Sequence, residues 1–405
     1  MMPLLPHELS DRIIDFLHDD RSTLSKVSLV CRSFLPATRY HRFSNLVLVG
    51  SRIERFNQLL DISPNLGAFV SNLVLNSGLS HTVWRRLSAE TLSNMLQRMP
   101  ALQFLDLRFL RLQDEVMDLI GTIKVLHSLS LVGCNVPSAD SLAYLLGRLE
   151  SLVRLEVEDL NFSEECAIGE SVERPHILTL SATGLTDEAT NQICSWILDD
   201  EGRLDILSFH TRLRSRAEAI ATKNVIEQLG GTLTDFQMVV DAEASLTCEL
   251  SSIPSESSGL LTDVLAVFGE SDIDLGCLTN LRSCRLVFKL REMCVPENLS
   301  LPWISTLVSQ LSSSYLSNIA VNIQADNVQD LRALDSECGV RETFPVRFGE
   351  LQALDWAAIE GALDNRLQGS LTVITMEGIG NPGVLQDFLH LSHPILAGLI
   401  RLIHA

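Results

Sequence analysis

Little in this sequence announces chemistry. Its nine cysteines, at 31, 134, 166, 194, 248, 277, 284, 294 and 338, form no Cys-x-x-Cys pair, and such dispersed thiols read as buried and reduced. There is no P-loop and no Gly-x-Ser-x-Gly elbow to expose a nucleophile. His390 and His393 stand three apart, not the four of a zinc-binding helix, and lack nearby Glu partners. Gly378-Ile379-Gly380-Asn381-Pro382-Gly383 has the spacing of a dinucleotide loop. It lies too near the C-terminus for a second strand and a ribose-binding acid, so it reads as a turn between a strand and a terminal helix. These absences point away from an enzyme, with no metal and no cofactor expected.

Long apolar runs and basic charge are scarce too. The stretch from Pro394 to Ala405 is interrupted by Arg401 and falls short of the roughly 20 residues a membrane helix needs. The N-terminus carries Glu8, Asp11 and Asp15 instead of a basic segment followed by an apolar core. Asn161-Phe162-Ser163 and Asn298-Leu299-Ser300 match the glycosylation pattern, but this composition gives them no secretory compartment. The expectation is a soluble intracellular protein, cytoplasmic or nuclear. Lys and Arg number 31 against 51 Asp and Glu, a formal charge of −20. Residues 1–43 hold six basic and five acidic side chains, a net of +1, so the remainder carries −21. Such a body repels phosphate backbones, which argues against nucleic acid and anionic membranes as partners. The acidity either keeps a leucine-rich surface soluble or meets a basic client. Asp199-Asp200-Glu201 and Glu164-Glu165 read as solvated loops.

What the chain has in quantity is one short pattern, Leu-x-x-Leu-x-Leu. It occurs at Phe43, Leu46, Leu48; Val70, Leu73, Leu75; Leu102, Leu105, Leu107; Leu126, Leu129, Leu131; and Leu152, Leu155, Val157. Looser copies follow at Leu178 and Leu180, at Leu204, Leu207, Phe209, and at Leu233, Phe236, Met238. Their middle residues step by 27, 32, 24, 26, 23, 29 and 29 positions, at or slightly above the leucine-rich-repeat range. Alternate strand residues share a face, so each Leu-x-Leu enters a core while its neighbours face out. Leu87 to Met99, Asp114 to Ile123, Ser138 to Leu149 and Asp187 to Leu198 have the spacing of return helices. Leu126 to Val136 goes furthest, with Cys134 at the turn, where Leu110, Leu160 and Thr183 stand in other copies. This body resembles the divergent leucine-rich-repeat-like region of F-box proteins, fungal ones included. The expected fold is α/β, a curved solenoid with parallel strands on one face and helices on the other. It covers 44–240, is interrupted by a Ser-rich loop or insertion at 241–258, and continues more irregularly over 259–405. There, strands are expected at Leu281 to Phe288, Leu316 to Ile323 and Leu371 to Met376, with a helix from Leu351 to Leu363.

Residues 1–43 form a separate helical module. Pro6 suits a first helical turn, and Leu9, Ile13, Phe16 and Leu17 follow on one face. Asp19 to Ser22 breaks the pattern, and Ser22 or Thr23 is the expected cap of a second helix carrying Leu24, Val27 and Cys31. Pro36 forces another break before a third helix from Ala37 to Arg42. So small a unit cannot enclose this many apolar groups, so a partner or the rest of the chain covers them. Leu5-Pro6-x-Glu8-Leu9, then Ser28-Leu29-Val30-Cys31-Arg32-x-Phe34 and Arg39-x-x-x-Phe43, resemble an F-box, although Phe34 and Phe43 stand where Trp is common. The resemblance covers about a tenth of the chain. It implies that Leu5, Pro6, Leu9, Ile13, Leu17, Leu24, Val30, Cys31 and Phe34 form or support a surface for the Skp adaptor of a cullin-RING ubiquitin ligase.

The function this implies is a non-catalytic substrate receptor. The alternative is an interaction scaffold whose N-terminal helices only cap the solenoid. In either case, clients would be held by outward strand positions: Asp106 and Arg108, Ser130 and Val132, Glu156 and Glu158, Thr179 and Ser181, Ser208 and His210, Gln237 and Val239. That row is polar, mixed in charge and poor in aromatics.

Overall fold

The computed structural model describes residues 7–77, 88–164, 168–169, 172, 174–198, 206–214, 216–241, 275–290, 302–326, 343–367 and 373–404. The chain divides into two compact units, Met1–Ile177 and Leu178–Ala405. Leu5, Pro6 and the Ser-rich stretch from 242 lie outside the described residues.

The first unit opens with three helices, α1 (His7–Asp15), α2 (Arg21–Val27) and α3 (Leu35–Phe43). Their caps differ from expectation. Asp20, not Ser22 or Thr23, starts α2: its carboxylate accepts from the Thr23 backbone N–H at 2.9 Å and from the Thr23 hydroxyl at 2.6 Å. Two hydrogen bonds from one ionised acceptor outweigh what a hydroxyl cap offers. Pro36 does not break α3 but sits in its first turn, where a missing N–H costs nothing.

Strand–helix repeats follow: β1 (Asn45–Val49), α4 (Arg52–Ile62), β2 (Asn72–Asn76), α5 (Ala89–Gln97), β3 (Phe104–Arg108), α6 (Asp114–Ile120), β4 (Ser128–Val132), β5 (Asn135–Val136), α7 (Ala139–Arg148), β6 (Arg154–Glu158) and β7 (Asn161–Phe162). β1, β2, β3, β4 and β6 pair in parallel and in sequence order, with Leu46, Leu73, Leu105, Leu129 and Leu155 in one register row. Those residues beyond Leu46 are fully buried, as are Leu75, Leu107, Leu131 and Val157. This is the alternation the ladder implies.

A turn repeats along with the strands. Gly50, Phe109, Gly133 and Asp159 each follow a strand with φ of 55°, 55°, 59° and 51°. That left-handed step redirects the chain while its N–H still pairs with the next strand, Phe109 to the Val132 carbonyl at 2.9 Å and Gly133 to that of Glu158 at 2.7 Å. Gly133 fits for two reasons: it tolerates positive φ, and a Cβ there would lie 2.5 Å from the Phe109 ring. Beyond the turn, the Cys134 thiol donates to the Leu107 carbonyl at 3.1 Å. Leu110 and Leu160 are buried at the corresponding places.

The second unit continues the alternation with β8 (Thr179–Thr183), α8 (Glu188–Leu198), β9 (Ser208–Leu213), α9 (Arg216–Leu229), β10 (Asp235–Asp241), β11 (Ser283–Leu290), β12 (Asn318–Asp326), β13 (Thr343–Pro345), β14 (Val373–Gly378) and β15 (Ile400–His404). All neighbours pair in parallel except the short β13, which runs antiparallel to β12. The register corrects the sequence frame by two residues. Leu180, Phe209, Phe236, Cys284 and Ile319 form one row. The repeat at β9 is therefore Ile206, Phe209, Thr211, and Leu207 is 44 % exposed just before the strand. In the same frame the turn residue after β8 is the buried Leu185, not Thr183. The strands expected near 281, 316 and 371 are present, and Trp356, Ile359 and Leu363 of the helix Trp356–Leu367 are buried. β15 was not anticipated. Pro382–Ser392 and Pro394–Leu399 are short helices, and the chain then adds a last strand beside β14. Gly380, at φ 91°, makes the expected turn, and Asn381 caps the helix after it through the Gly383 N–H at 2.9 Å.

Each unit is thus a leucine-rich-repeat-like stack of parallel strands and return helices.

Candidate interaction surfaces

Two surfaces stand apart from the packed core. The first is on the N-terminal module. Ile14 and Leu24 are fully buried and Thr38 with them, so these residues tie the helices together. Leu9, Ile13 and Phe16, spaced i, i+4, i+7 on and just beyond α1, stay exposed, Phe16 at 86 %. Leu29, at 86 %, and Val30 are exposed on the turn after α2. Leu17 and Phe34 are half-buried. Leu24 therefore supports the module from within and does not face out. The sequence stripe is corrected in detail: it placed Leu17 with Leu9 and Ile13 and gave no weight to Ile14, the residue at the centre of the small core. Cys31 is corrected as well. It reads in the sequence as one of the buried, reduced thiols, but it is exposed, and Ser33 Oγ, 2.9 Å from its sulfur, lowers its pKa below the ordinary thiol value.

α3 joins this module to the first repeat. The Phe43 ring lies 6.5 Å from that of Phe56 on α4, and the Ser44 carbonyl accepts from the Ser71 and Asn72 backbone N–H groups.

The second surface is the outward face of the strands. In the first unit, parallel register places Val47, Val74, Asp106, Ser130 and Glu156 in one row and Val49, Asn76, Arg108, Val132 and Glu158 in the next. Asp106 and Ser130 were expected to be exposed. They are 4 % and 1 % exposed: Ser130 is a short side chain between Asp106 and Glu156, and Asp106 is engaged by the long side chain of Arg108. Arg108 Nε donates to both Asp106 oxygens, at 3.1 and 2.9 Å, and Nη2 donates to Oδ2 at 2.8 Å. The guanidinium is held above its ordinary pKa first by that hydrogen bonding, and then, against the effect of burial, by the charges of Asp106, Glu156 and Glu158.

In the second unit, Thr179, Ser208 and Asp235 share a row, as do Ser181, His210 and Gln237. Ser208, His210 and Asp235 meet, but not as a catalytic relay. His210 Nε2 faces both Ser208 Oγ at 2.9 Å and Asp235 Oδ2 at 3.4 Å, and Ser208 donates to the same carboxylate at 3.0 Å. A relay places hydroxyl and carboxylate on opposite ring nitrogens. Asp235 is held below the usual carboxylate range first by His210, with Ser208 and Ser283 adding to it against burial. Gln237 and Val239 are half-buried beside them.

On the helix side of the second unit, a cleft of about 580 Å³ opens between α8 and α9, with Asn191, Cys194, Asn224 and Gln228 in its walls. Cys194 is buried there, and its thiol is pushed up to about 12. His393 Nδ1 lies 3.0 Å from Glu360 and His390 Nε2 3.1 Å from Gln386. Among the described residues no cluster of His, Cys, Asp and Glu could hold a metal ion, and no helix is long and apolar enough to cross a membrane.

No protein-family model and no curated protein matches the chain. A leucine-rich-repeat protein of Leptospira interrogans is a structural neighbour at 12 % identity, covering 91 % of each chain with a TM-score of 0.21. At that score the likeness carries no weight. The repeat assignment rests on the strand order and register above.

Proposed function

We propose that this chain is a non-catalytic substrate receptor of a Skp-cullin-F-box ubiquitin ligase, working in the cytoplasm or nucleus. The N-terminal module docks on a Skp-type adaptor, and the repeats hold a client protein. Bringing a client close to a charged ubiquitin carrier accelerates transfer without any active-site residue on the receptor. One observation carries the reading: Leu9, Ile13, Phe16, Leu29 and Val30 are exposed on a module whose sequence resembles an F-box. A helix that merely closed the end of a solenoid would turn such a stripe inward. Exposed apolar groups clustered on so small a unit suit a partner surface.

A scaffold with a capping module is the second reading, and the packing of α3 on the first repeat favours it. Retention by an immobilised Skp-type adaptor separates the two. Wild-type chain is expected to be retained, and Leu9→Ala with Leu17→Ala, or Ile13→Asp alone, to lose about tenfold or more in affinity. A wild-type chain that passes through unretained, or variants held as well as wild type, would leave only the scaffold.

A further inference from the structure

The first strand of the sheet has a neighbour on one side only. β1 pairs with β2 and stands at the end of the strand order. The Ser44 carbonyl accepts from the Asn72 N–H, and the Gly50 N–H donates to the Asn76 carbonyl, so the even-numbered backbone groups serve β2. Alternation then turns the N–H and C=O groups of Asn45, Val47 and Val49 to the opposite edge. Among the described residues they have no backbone partner there. The core is open at the same end. Leu46 points inward in the row of Leu73 and Leu105, yet it is half-buried where those two are sealed.

Edge strands are ordinarily blunted by charge, proline or a bulge. β1 reads Asn-Leu-Val-Leu-Val and pairs with β2 without a bulge, so it has none of these. β15, at the other end of the order, carries Arg401 and His404. The charge beside β1 lies on the helices instead. Asp61 of α4 reaches Arg98 of α5 at 2.7 Å, so that side of α4 faces the next repeat, and Glu54 falls on it too. Helical spacing puts Arg52 and Arg55 on the other flank, toward the open end. Both are exposed, and their side chains have no ion pair or hydrogen bond among the described residues. Arg42 lies over the Phe43 ring, 5.8 Å from its centroid, and that ring meets Phe56, one turn from Arg52. Three uncompensated guanidiniums therefore border the open edge of a chain whose net charge is −20.

We propose that the free edge of β1 takes an extended, acidic segment of a partner protein. The segment pairs through its backbone with Asn45, Val47 and Val49, covers Leu46, and sets its carboxylates among Arg42, Arg52 and Arg55. In strand addition the main chain supplies affinity and the side chains supply selectivity. A second copy is the poorer occupant, because β1 laid against β1 would bring the same arginines together. The inference stands apart from the receptor reading, and its test needs no adaptor.

The full chain is titrated with a fluorescein-labelled hexapeptide amide alternating Val and Glu, followed by anisotropy. Its controls are the Val and Gln counterpart, and the Val and Glu peptide with every backbone nitrogen methylated, which keeps the charge and removes the donors. The parent peptide is expected to bind, the neutral one about tenfold or more weaker, and the methylated one not at all. Arg52→Gln with Arg55→Gln should weaken the parent about tenfold. Val47→Pro removes a donor that faces the free edge and spares those facing β2, so it should abolish binding with the urea midpoint close to wild type. Arg401→Gln, an exposed cation on β15, should leave binding unchanged. Equal losses from Arg401→Gln and the Arg52, Arg55 pair, or a methylated peptide held as well as its parent, would mean attraction to bulk charge and would overturn the edge. A neutral peptide bound as tightly as the acidic one would overturn the selectivity for acid. A chain that is dimeric in sedimentation equilibrium and monomeric as Val47→Pro would assign the edge to a second copy. Should Val47→Pro fail to fold, the methylated peptide decides alone.

Discussion

At the scale of single residues, surroundings decide what a side chain does. Ser33 sits beside the exposed Cys31 sulfur and favours its thiolate, whereas Cys134, Cys194 and Cys284 are sealed in the core and pushed up to about 12 by burial. Near pH 8, iodoacetamide labelling read site by site in a mass spectrometer should therefore modify Cys31 first and leave those three until the chain is denatured. Early modification of Cys134 would mean that the repeat around it opens. Sequence alone gave these thiols one reading, because apolar neighbours in the chain are not the same as apolar neighbours in space. Asp106 and Ser130 teach the same lesson in the opposite direction. Alternation correctly put them on the outward face, but their depth depends on Val74, Arg108 and Glu156 from adjacent positions, which no local pattern contains.

At the scale of elements, the strands were legible and their frame was not always. From Leu73 to Val157 the leucines supply both the face and the register, because every inward position is apolar. At β9 the inward residues are Phe209, Thr211 and Leu213, the threonine 4 % exposed. A buried threonine made the frame through Leu204 and Leu207 look better. A slip of two residues keeps every side chain on the same face, so periodicity cannot detect it; only pairing with Leu180 and Phe236 does. The left-handed turn after β1, β3, β4 and β6 was not legible, since Phe109 and Asp159 occupy it as well as glycine. Two glycines, one in that turn and one in a helix, carry opposite expectations. Gly133→Ala combines positive φ with a collision against Phe109 and should lower stability by more than about 1 kcal/mol. Gly361→Ala, in a helix with open space at its Cβ, should raise it by roughly 0.5–1 kcal/mol. Urea midpoints measure both, and a neutral Gly133→Ala would contradict the turn geometry.

At the scale of the whole molecule, the chain joins two kinds of surface. The N-terminal segment is near neutral and leaves five apolar groups, Leu9, Ile13, Phe16, Leu29 and Val30, exposed; the remainder carries −21, with part of that charge on outward strand positions such as Glu156 and Glu158. Apolar burial suits a constant partner, while a polar, charged face suits a selected one. α3 packs directly against the first repeat, so whatever holds the module also holds that repeat in place. The account depends on the module meeting an adaptor, and amide hydrogen exchange on the full chain with and without a purified Skp-type adaptor tests this most directly. Protection is expected in α1 and through residues 28–34, around Leu9, Ile13, Leu29 and Val30, with the strand face unchanged. Absence of protection there at saturating adaptor, or protection confined to the strands, would contradict the account.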